Sequence, residues 1–402
     1  MGAPLLSGAL ADRADEALDG ISRALAALDP ASLGDPGWAM GTSGIAVAHA
    51  YLHGRFPDRG HEDAAQRALR RTVELAAARP MTPWFVEGMA GIGWTLAHLT
   101  GGADDDGAGA DKGVDATLLR VLDAAGPHPW ELFYGLAGFV PYALERLPLP
   151  GARDVLERTA RRLAAVAEAV DGGTCWRTLP ECDPVGRHPA PYWNFGVAHG
   201  FPGAILVTAE LVRRGVLALE LRPILAGASA WLASQRVAGE KGARVRAWSD
   251  DDGAPARTAW CYGDPGIAWA LLMAARALGD RSLATDAVAI AVDAAARSPS
   301  AGGVVDACLC HGAAGLAHLY HRMAMLESAS SALRDAARSW FAHALDMRRA
   351  DAPLGGFRSF WPIGTWNDQP GLLMGVSGVG LALVSAMDPD ATGWDLPLLL
   401  SP

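Results

Sequence analysis

The chain has 402 residues, half of them hydrophobic and 19% charged, which excludes a disordered polypeptide and allows several cores or one large core built from repeats. A formal charge of -10 argues against nucleic acid as a partner, because phosphate recognition needs clustered Lys and Arg. No run approaches the ~18 apolar residues of a membrane span. Met1 to Leu6 lacks the basic start of a secretory signal, and the five cysteines are too thinly spread for a disulfide framework, so a cytoplasmic protein is expected.

Along the chain, amphipathic segments alternate with segments that are apolar all round. Ala9 to Leu28, His61 to Ala78, Asp111 to Ala125, Arg153 to Val170, Leu219 to Val237, Arg281 to Arg297 and Ala332 to Arg349 are the amphipathic ones. In Arg153 to Val170, for example, Leu156, Ala160, Leu163 and Val166 recur at helical spacing while Arg153, Glu157, Arg161 and Arg162 take other faces. Asp111 to Ala125, which follows a Gly/Asp-rich stretch at Gly101 to Gly107, is the weakest copy. The apolar segments begin near Ile45, Ile92, Phe139, Ala204, Ile267, Leu316 and Val379, and each predicts a buried helix.

A Gly-x-x-Gly step opens every apolar segment. The seven steps begin at Gly41, Gly88, Gly135, Gly200, Gly263, Gly312 and Gly375, at spacings of 47, 47, 65, 63, 49 and 63 residues. Seven outer and seven inner helices predict an all-α fold, an α/α toroid of seven helical hairpins spanning residues 1–402 as a single domain. An open solenoid would need polar end caps, and the first and last inner segments are as apolar as the middle ones. Glycines in one phase fit backbones that meet without a Cβ between them.

In a ring of this kind the residues before each step crowd one rim. Immediately before the first glycine stand Met40, Glu87, Tyr134, His199, Tyr262, His311 and Met374; one place earlier stand Ala39, Val86, Phe133, Ala198, Cys261, Cys310 and Leu373. Metal-binding residue types gather in copies four to six. Cys261, Cys310 and His311 therefore form a candidate site for one zinc ion with a fourth position left open for chemistry. Two thiolates cancel the formal charge of such an ion, which suits activation of a thiol nucleophile better than hydrolysis. Cys308 is a possible further ligand or a packing residue; Cys175 and Cys182 carry no ligand signature, and His49, His98 and His318 read as packing histidines.

His199 shares the phase of the metal residues and suits proton transfer near neutrality. Tyr262 follows Cys261 directly and is either a substrate-orienting group or packing. Arg257, four residues before Cys261, is either a partner for developing negative charge or a surface ion pair. Glu131, four residues before Gly135, either orients His199 or is a solvated charge.

The motifs Trp260-Cys261-Tyr262-Gly263-x-Pro265-Gly266, Cys310-His311-Gly312-x-x-Gly315 and His199-Gly200-x-Pro202-Gly203, in one chain with the seven steps, resemble the lanthionine synthetase C-like family, the thioether-forming cyclases of lanthipeptides. The resemblance implies one Zn2+ held by Cys261, Cys310 and His311. It also implies addition of a peptide cysteine thiol to a dehydroalanine or dehydrobutyrine of the same dehydrated precursor peptide. The catalytic histidine of the family maps onto His199, its arginine onto Arg257 and its tyrosine onto Tyr262. Glu131 stands where the family usually has aspartate, a change of one methylene, ~1 Å, that alters proton-transfer geometry. With nothing of dehydratase size ahead of the repeats, a free-standing cyclase served by a separate dehydratase is expected. The alternatives are an enzyme that adds a small thiol such as glutathione, a non-catalytic zinc-stabilised peptide-binding scaffold, and a glycosidase. Glu87 and Glu131 alone make a poor carboxylate pair for the last. The aromatic loops Trp176 to Phe195 and Phe357 to Trp366 are candidates to line a peptide groove or to pack over the helices.

Overall fold

A computed structural model describes residues 4–101, 110–183, 186–236, 244–249, 256–362 and 364–401, with side chains of 110–112 excluded. Among these residues fourteen α-helices alternate as the repeat predicts. The amphipathic ones are α1 (Ala9–Ala26), α3 (His61–Ala77), α5 (Ala110–Asp123), α7 (Pro150–Ala165), α9 (Ala218–Ser234), α11 (Arg281–Ala295) and α13 (Ser331–Asp346). The apolar ones are α2 (Thr42–Arg55), α4 (Met89–Thr100), α6 (Phe139–Glu145), α8 (Phe201–Arg213), α10 (Asp264–Leu278), α12 (Ala313–Leu326) and α14 (Val376–Met387).

Two expected elements differ. The helix expected over Arg153 to Val170 stops at Ala165, and Glu168–Val170 instead forms β1, paired antiparallel with β2 (Gly173–Cys175). The Asp171-Gly172 corner, with Gly172 at a φ of 83°, favours a hairpin over a further helical turn. The third inner helix starts as a 3-10 turn at Leu136–Gly138 and is only seven residues long.

The hairpins are phased inner helix first. α2 packs on α3, α6 on α7, α8 on α9, α10 on α11 and α12 on α13, so in these five hairpins the inner helix partners the outer helix that follows it. Short connections such as Gly279-Asp280 force antiparallel neighbours, whereas the long loops precede the inner helices. α14 has no following outer helix; it packs on α1 from the other end of the chain, and on α2.

The chain forms two compact units. The first holds Met1–Thr82, Val86–Gly101 and Ser298–Ser401, and the second Pro83–Phe85 and Gly102–Arg297. In the first, first and last repeats are neighbours, as a closed ring requires. Its core includes a fully buried carboxylate, Asp395, bound by His318 Nε2 at 2.7 Å and Arg322 Nε at 2.6 Å. Ser401 also bonds that carboxylate, which fastens the C-terminal segment and explains His318 inside an apolar helix.

The glycine step has a local cause. In six copies the residue after the first glycine donates its N–H to the carbonyl seven places back, at 2.8–3.0 Å, as in Thr42 to Asp35 and Phe201 to Asn194. The loop thus folds tightly onto the helix start. A Cβ on the second glycine would lie 1.8–2.3 Å from the carbonyl six residues back at Gly44, Gly138, Gly203, Gly266, Gly315 and Gly378. These glycines serve their own loop first; a neighbouring side chain then closes over several, as Leu372 does over Gly44 and Val197 over Gly266.

Gly315→Ala, which sets a methyl 1.8 Å from the Leu309 carbonyl oxygen, is expected to cost about 3 kcal/mol or more. Gly54→Ala, with nothing within 4 Å inside α2, should gain about 0.5–1 kcal/mol. Denaturant titration of the two variants checks the contrast. A second expectation concerns the buried chain in which Ser22 Oγ meets His61 Nε2 at 2.7 Å and His61 Nδ1 meets His49 Nδ1 at 2.8 Å. Burial lowers His61 to about 4 and His49 to about 3 from 6.5. Both stay neutral in the fold while the unfolded chain takes up protons, so stability falls as pH drops from 6.5 towards 4. Denaturation midpoints at pH 7 and pH 5 read this directly, and His61→Gln should narrow the difference.

Candidate active site

The loop before α12 carries Cys308, Cys310 and His311, all buried. Cys310 donates its backbone N–H to Leu373 at 3.1 Å, Leu373 to Ala39 at 2.7 Å, and Ala39 to Val86 at 3.2 Å. These are the residues two places before the first glycine in copies six, seven, one and two. One backbone ladder therefore joins equivalent rim positions and fixes where each side chain emerges. The equivalent residue in copy five, Cys261, is also buried, and its carbonyl accepts the N–H of Val197 at 2.7 Å.

Beside Cys310, the donor atoms of Asp306, Cys308 and His311 lie within 4.8 Å of one another, close enough to hold a metal ion. Asp306 is enclosed: Oδ1 accepts the Cys308 N–H at 3.1 Å, Oδ2 accepts the Phe360 N–H at 2.8 Å, and His311 Nε2 is 3.8 Å from Oδ2. Buried thiols with an imidazole are zinc-type donors. The thiol, imidazole and carboxylate donors gathered here fit a metal ion of the zinc type. Cys175 and Cys182 do not join such a group; burial raises both thiols, Cys175 to about 11, and keeps them protonated at neutral pH.

In the second unit the residues just before the glycines of copies three, four and five form a row of rings. Tyr134 stacks on His199 at 5.6 Å between centroids and 1° between planes, and Tyr262 lies 6.5 Å beyond. Phe133 closes on His199 edge-on at 5.4 Å. Glu131 is not a solvated charge: it is 2% exposed, and its carboxylate caps the turn by accepting the N–H groups of Phe133 and Tyr134. The same carboxylate meets His199 Nδ1 at 3.1 Å. A neutral His199 that donates Nδ1–H to Glu131 carries its lone pair on Nε2.

Tyr262 is held by Asn194, whose Nδ2 donates to the phenol oxygen at 3.0 Å. Burial is the largest influence on this phenol and raises it above its ordinary range, so it stays protonated at neutral pH. Gly263 takes a φ of 116°, open to glycine alone, and brings its Cα against the carbonyl of Arg257. The half-buried Arg257 thus has a backbone part in the loop as well as its side chain.

A model of the lanthionine synthetase C-like protein family matches residues 34–399. The chain belongs to that family. Among solved structures, a nisin cyclase is similar to it with a TM-score of 0.73 at 19% identity, over 92% of this chain and 93% of that one. That likeness gives this lanthionine synthetase C-like protein the α/α toroid fold expected from its repeat. Membership places it among the lanthionine synthetase enzymes. No curated protein sequence matches it. Among the described residues no helix is long and apolar enough to cross a membrane.

Sequence reasoning found both ends of the Glu131–His199 contact and the Cys310–His311 pair, but missed Asp306, Asn194 and Tyr134. Tyr134 was legible, since it stands at the same repeat position as His199 and Tyr262. Asp306 and Asn194 share a repeat position as well, six residues before the first glycine, where each carbonyl accepts the N–H seven places on; their distant side-chain partners carry no sequence signal. The aromatic loops also separate: Trp176 is fully buried and donates to the Leu163 carbonyl at 2.9 Å, whereas Trp361 and Trp366 are 39% and 41% exposed. Glu131→Ala should cost about 1–3 kcal/mol, because it strands two backbone N–H groups in the turn. Glu131→Gln retains an acceptor and should lose far less, and thermal unfolding of both variants checks this.

Proposed function

We propose that this protein is a zinc-dependent peptide cyclase, forming lanthionine or methyllanthionine rings by adding a cysteine thiol to a dehydroalanine or dehydrobutyrine of the same precursor peptide. Cys261, Cys310 and His311 are the proposed ligands of one Zn2+, with residues 1–402 acting as one functional domain. A zinc ion in that donor set lowers the pKa of a bound substrate thiol while leaving the sulfur electron-rich. The observation that carries the catalytic reading is the Glu131–His199 contact at 3.1 Å in the row of rim rings.

Glu131 fixes the tautomer of His199, so that Nε2 takes the proton released by the thiol. The sulfur forms a bond to the β-carbon, the carbon–carbon π pair moves to the α-carbon and its carbonyl, and an enolate results. Tyr262 donates a hydrogen bond to the enolate oxygen, and the Arg257 guanidinium faces the same negative charge. His199 returns the proton to the α-carbon, so no atom is lost or gained overall. A separate dehydratase supplies the substrate in this scheme, and the reaction takes place in the cytoplasm. The family membership and the buried thiol and imidazole donors support this reading.

Cyclisation leaves the peptide mass unchanged, so the test counts alkylatable cysteines of a dehydrated peptide before and after incubation, alongside metal analysis. One zinc per chain and enzyme-dependent loss of alkylation are expected. Cys310→Ala should remove both while the helical circular dichroism persists. A mass gain equal to an added small thiol would instead establish intermolecular addition, and metal-free protein with full activity would overturn the scheme.

A further inference from the structure

The phenol of Tyr262 accepts a hydrogen bond from a side chain held in one orientation. Asn194 is 1% exposed, and its amide cannot turn over: Oδ1 accepts the N–H of Gly196 at 2.9 Å, which leaves Nδ2 facing the phenol oxygen at 3.0 Å. The ring of Trp248 lies beside the same tyrosine, 5.8 Å between centroids and 58° between planes. The phenol oxygen thus accepts from Asn194, and its own proton must point away from that amide.

The frame around this arrangement is rigid. The segment bearing Trp248 bridges Asn194, with Phe195 N–H to Ala247 at 3.0 Å and Ser249 N–H to Trp193 at 3.0 Å. Its start is tied to α10, where Asp264 accepts the Val245 N–H at 3.1 Å and pairs with Arg297 at 2.6 Å. The tyrosine ring lies flat on Gly196, where a Cβ would come within 2.5 Å of it.

We infer that Asn194 is a positioning residue which donates to the Tyr262 phenol, turns the phenol's own proton away from itself and commits that proton to the substrate. It rests on the proposed cyclase reading for the identity of that substrate, an enolate oxygen of a dehydrated peptide. The hydrogen-bond polarity itself stands on this chain alone. A phenol that accepts a hydrogen bond is also a stronger donor through its own O–H, since hydrogen bonds in a chain polarise one another.

Asn194→Asp is the discriminating substitution. It keeps an acceptor for Gly196 but presents a second acceptor to the phenol, so that Tyr262 turns its proton towards residue 194. Tyrosine Raman spectra, taken as the difference between each protein and the same protein carrying Tyr262→Phe, report whether this phenol accepts or donates. A strong acceptor signature is expected in the native protein and a donor signature in Asn194→Asp. In turnover of a dehydrated peptide, kcat should fall about 10–100-fold with KM little changed. The same substitution placed in a Tyr262→Phe background should change kcat less than about twofold, because its effect passes through the phenol.

Asn194→Ala removes the donor outright and should shift the Raman signature in the same direction; it serves if Asn194→Asp fails to fold. An unchanged signature in the folded variants, or an equal loss of kcat with and without Tyr262, would overturn the inference. A native protein inactive on the dehydrated peptide, yet with the expected Raman polarity, would sink the cyclase reading and leave the Asn194 assignment standing.

Discussion

The fold depends on a loop that doubles back onto the start of each inner helix, and on the absence of side chains where it does so. A carbonyl six residues upstream occupies the space a Cβ would need at the second glycine of each step, at 1.8–2.3 Å in six copies. The hydrogen bond made seven residues back is the favourable half of this arrangement, and the missing Cβ is what permits it. Because the loop is compact, the residues immediately before the glycines stand at equivalent places in the copies that share this bond.

Chemistry is built on that constancy. A row of Tyr134, His199 and Tyr262 arises from one repeat position used three times, without any dedicated scaffold. The ladder through Cys310, Leu373, Ala39 and Val86 is the backbone expression of the same regularity. Copies differ in which side chain they place on it. Apolar residues fill the position in copies one and seven, while copies five and six place thiols there. A binding site thus needs few substitutions on a frame already required for packing.

Carboxylates show how burial assigns different tasks to one chemical group. Glu131 takes two backbone donors and a histidine, which ties its turn to the His199 ring. Asp395, wholly enclosed with Arg322 and His318, has its carboxyl held far below the usual range by the guanidinium despite burial. Its environment offers no opening to solvent, and it fastens the C-terminal segment. Asp306 joins the loop of His311 to the hairpin at Phe360, coupling a candidate ligand to the segment that exposes Trp361 and Trp366.

The sequence by itself determined the helical alternation, the seven glycine steps and the repeat positions on which function gathers, because periodicity and phase are properties of the chain order. It also marked Glu131 and His199 as candidates, though not which of two roles the glutamate takes. Only the tertiary structure decided that Glu131 is buried against His199, that inner helices pair with the outer helix that follows, and that Arg153 to Val170 breaks into a helix and a strand. Likewise, Asn194 and Asp306 emerged only there. Their partners are 68 and 54 residues away, at Tyr262 and Phe360, and no local pattern encodes a hydrogen bond formed across that separation.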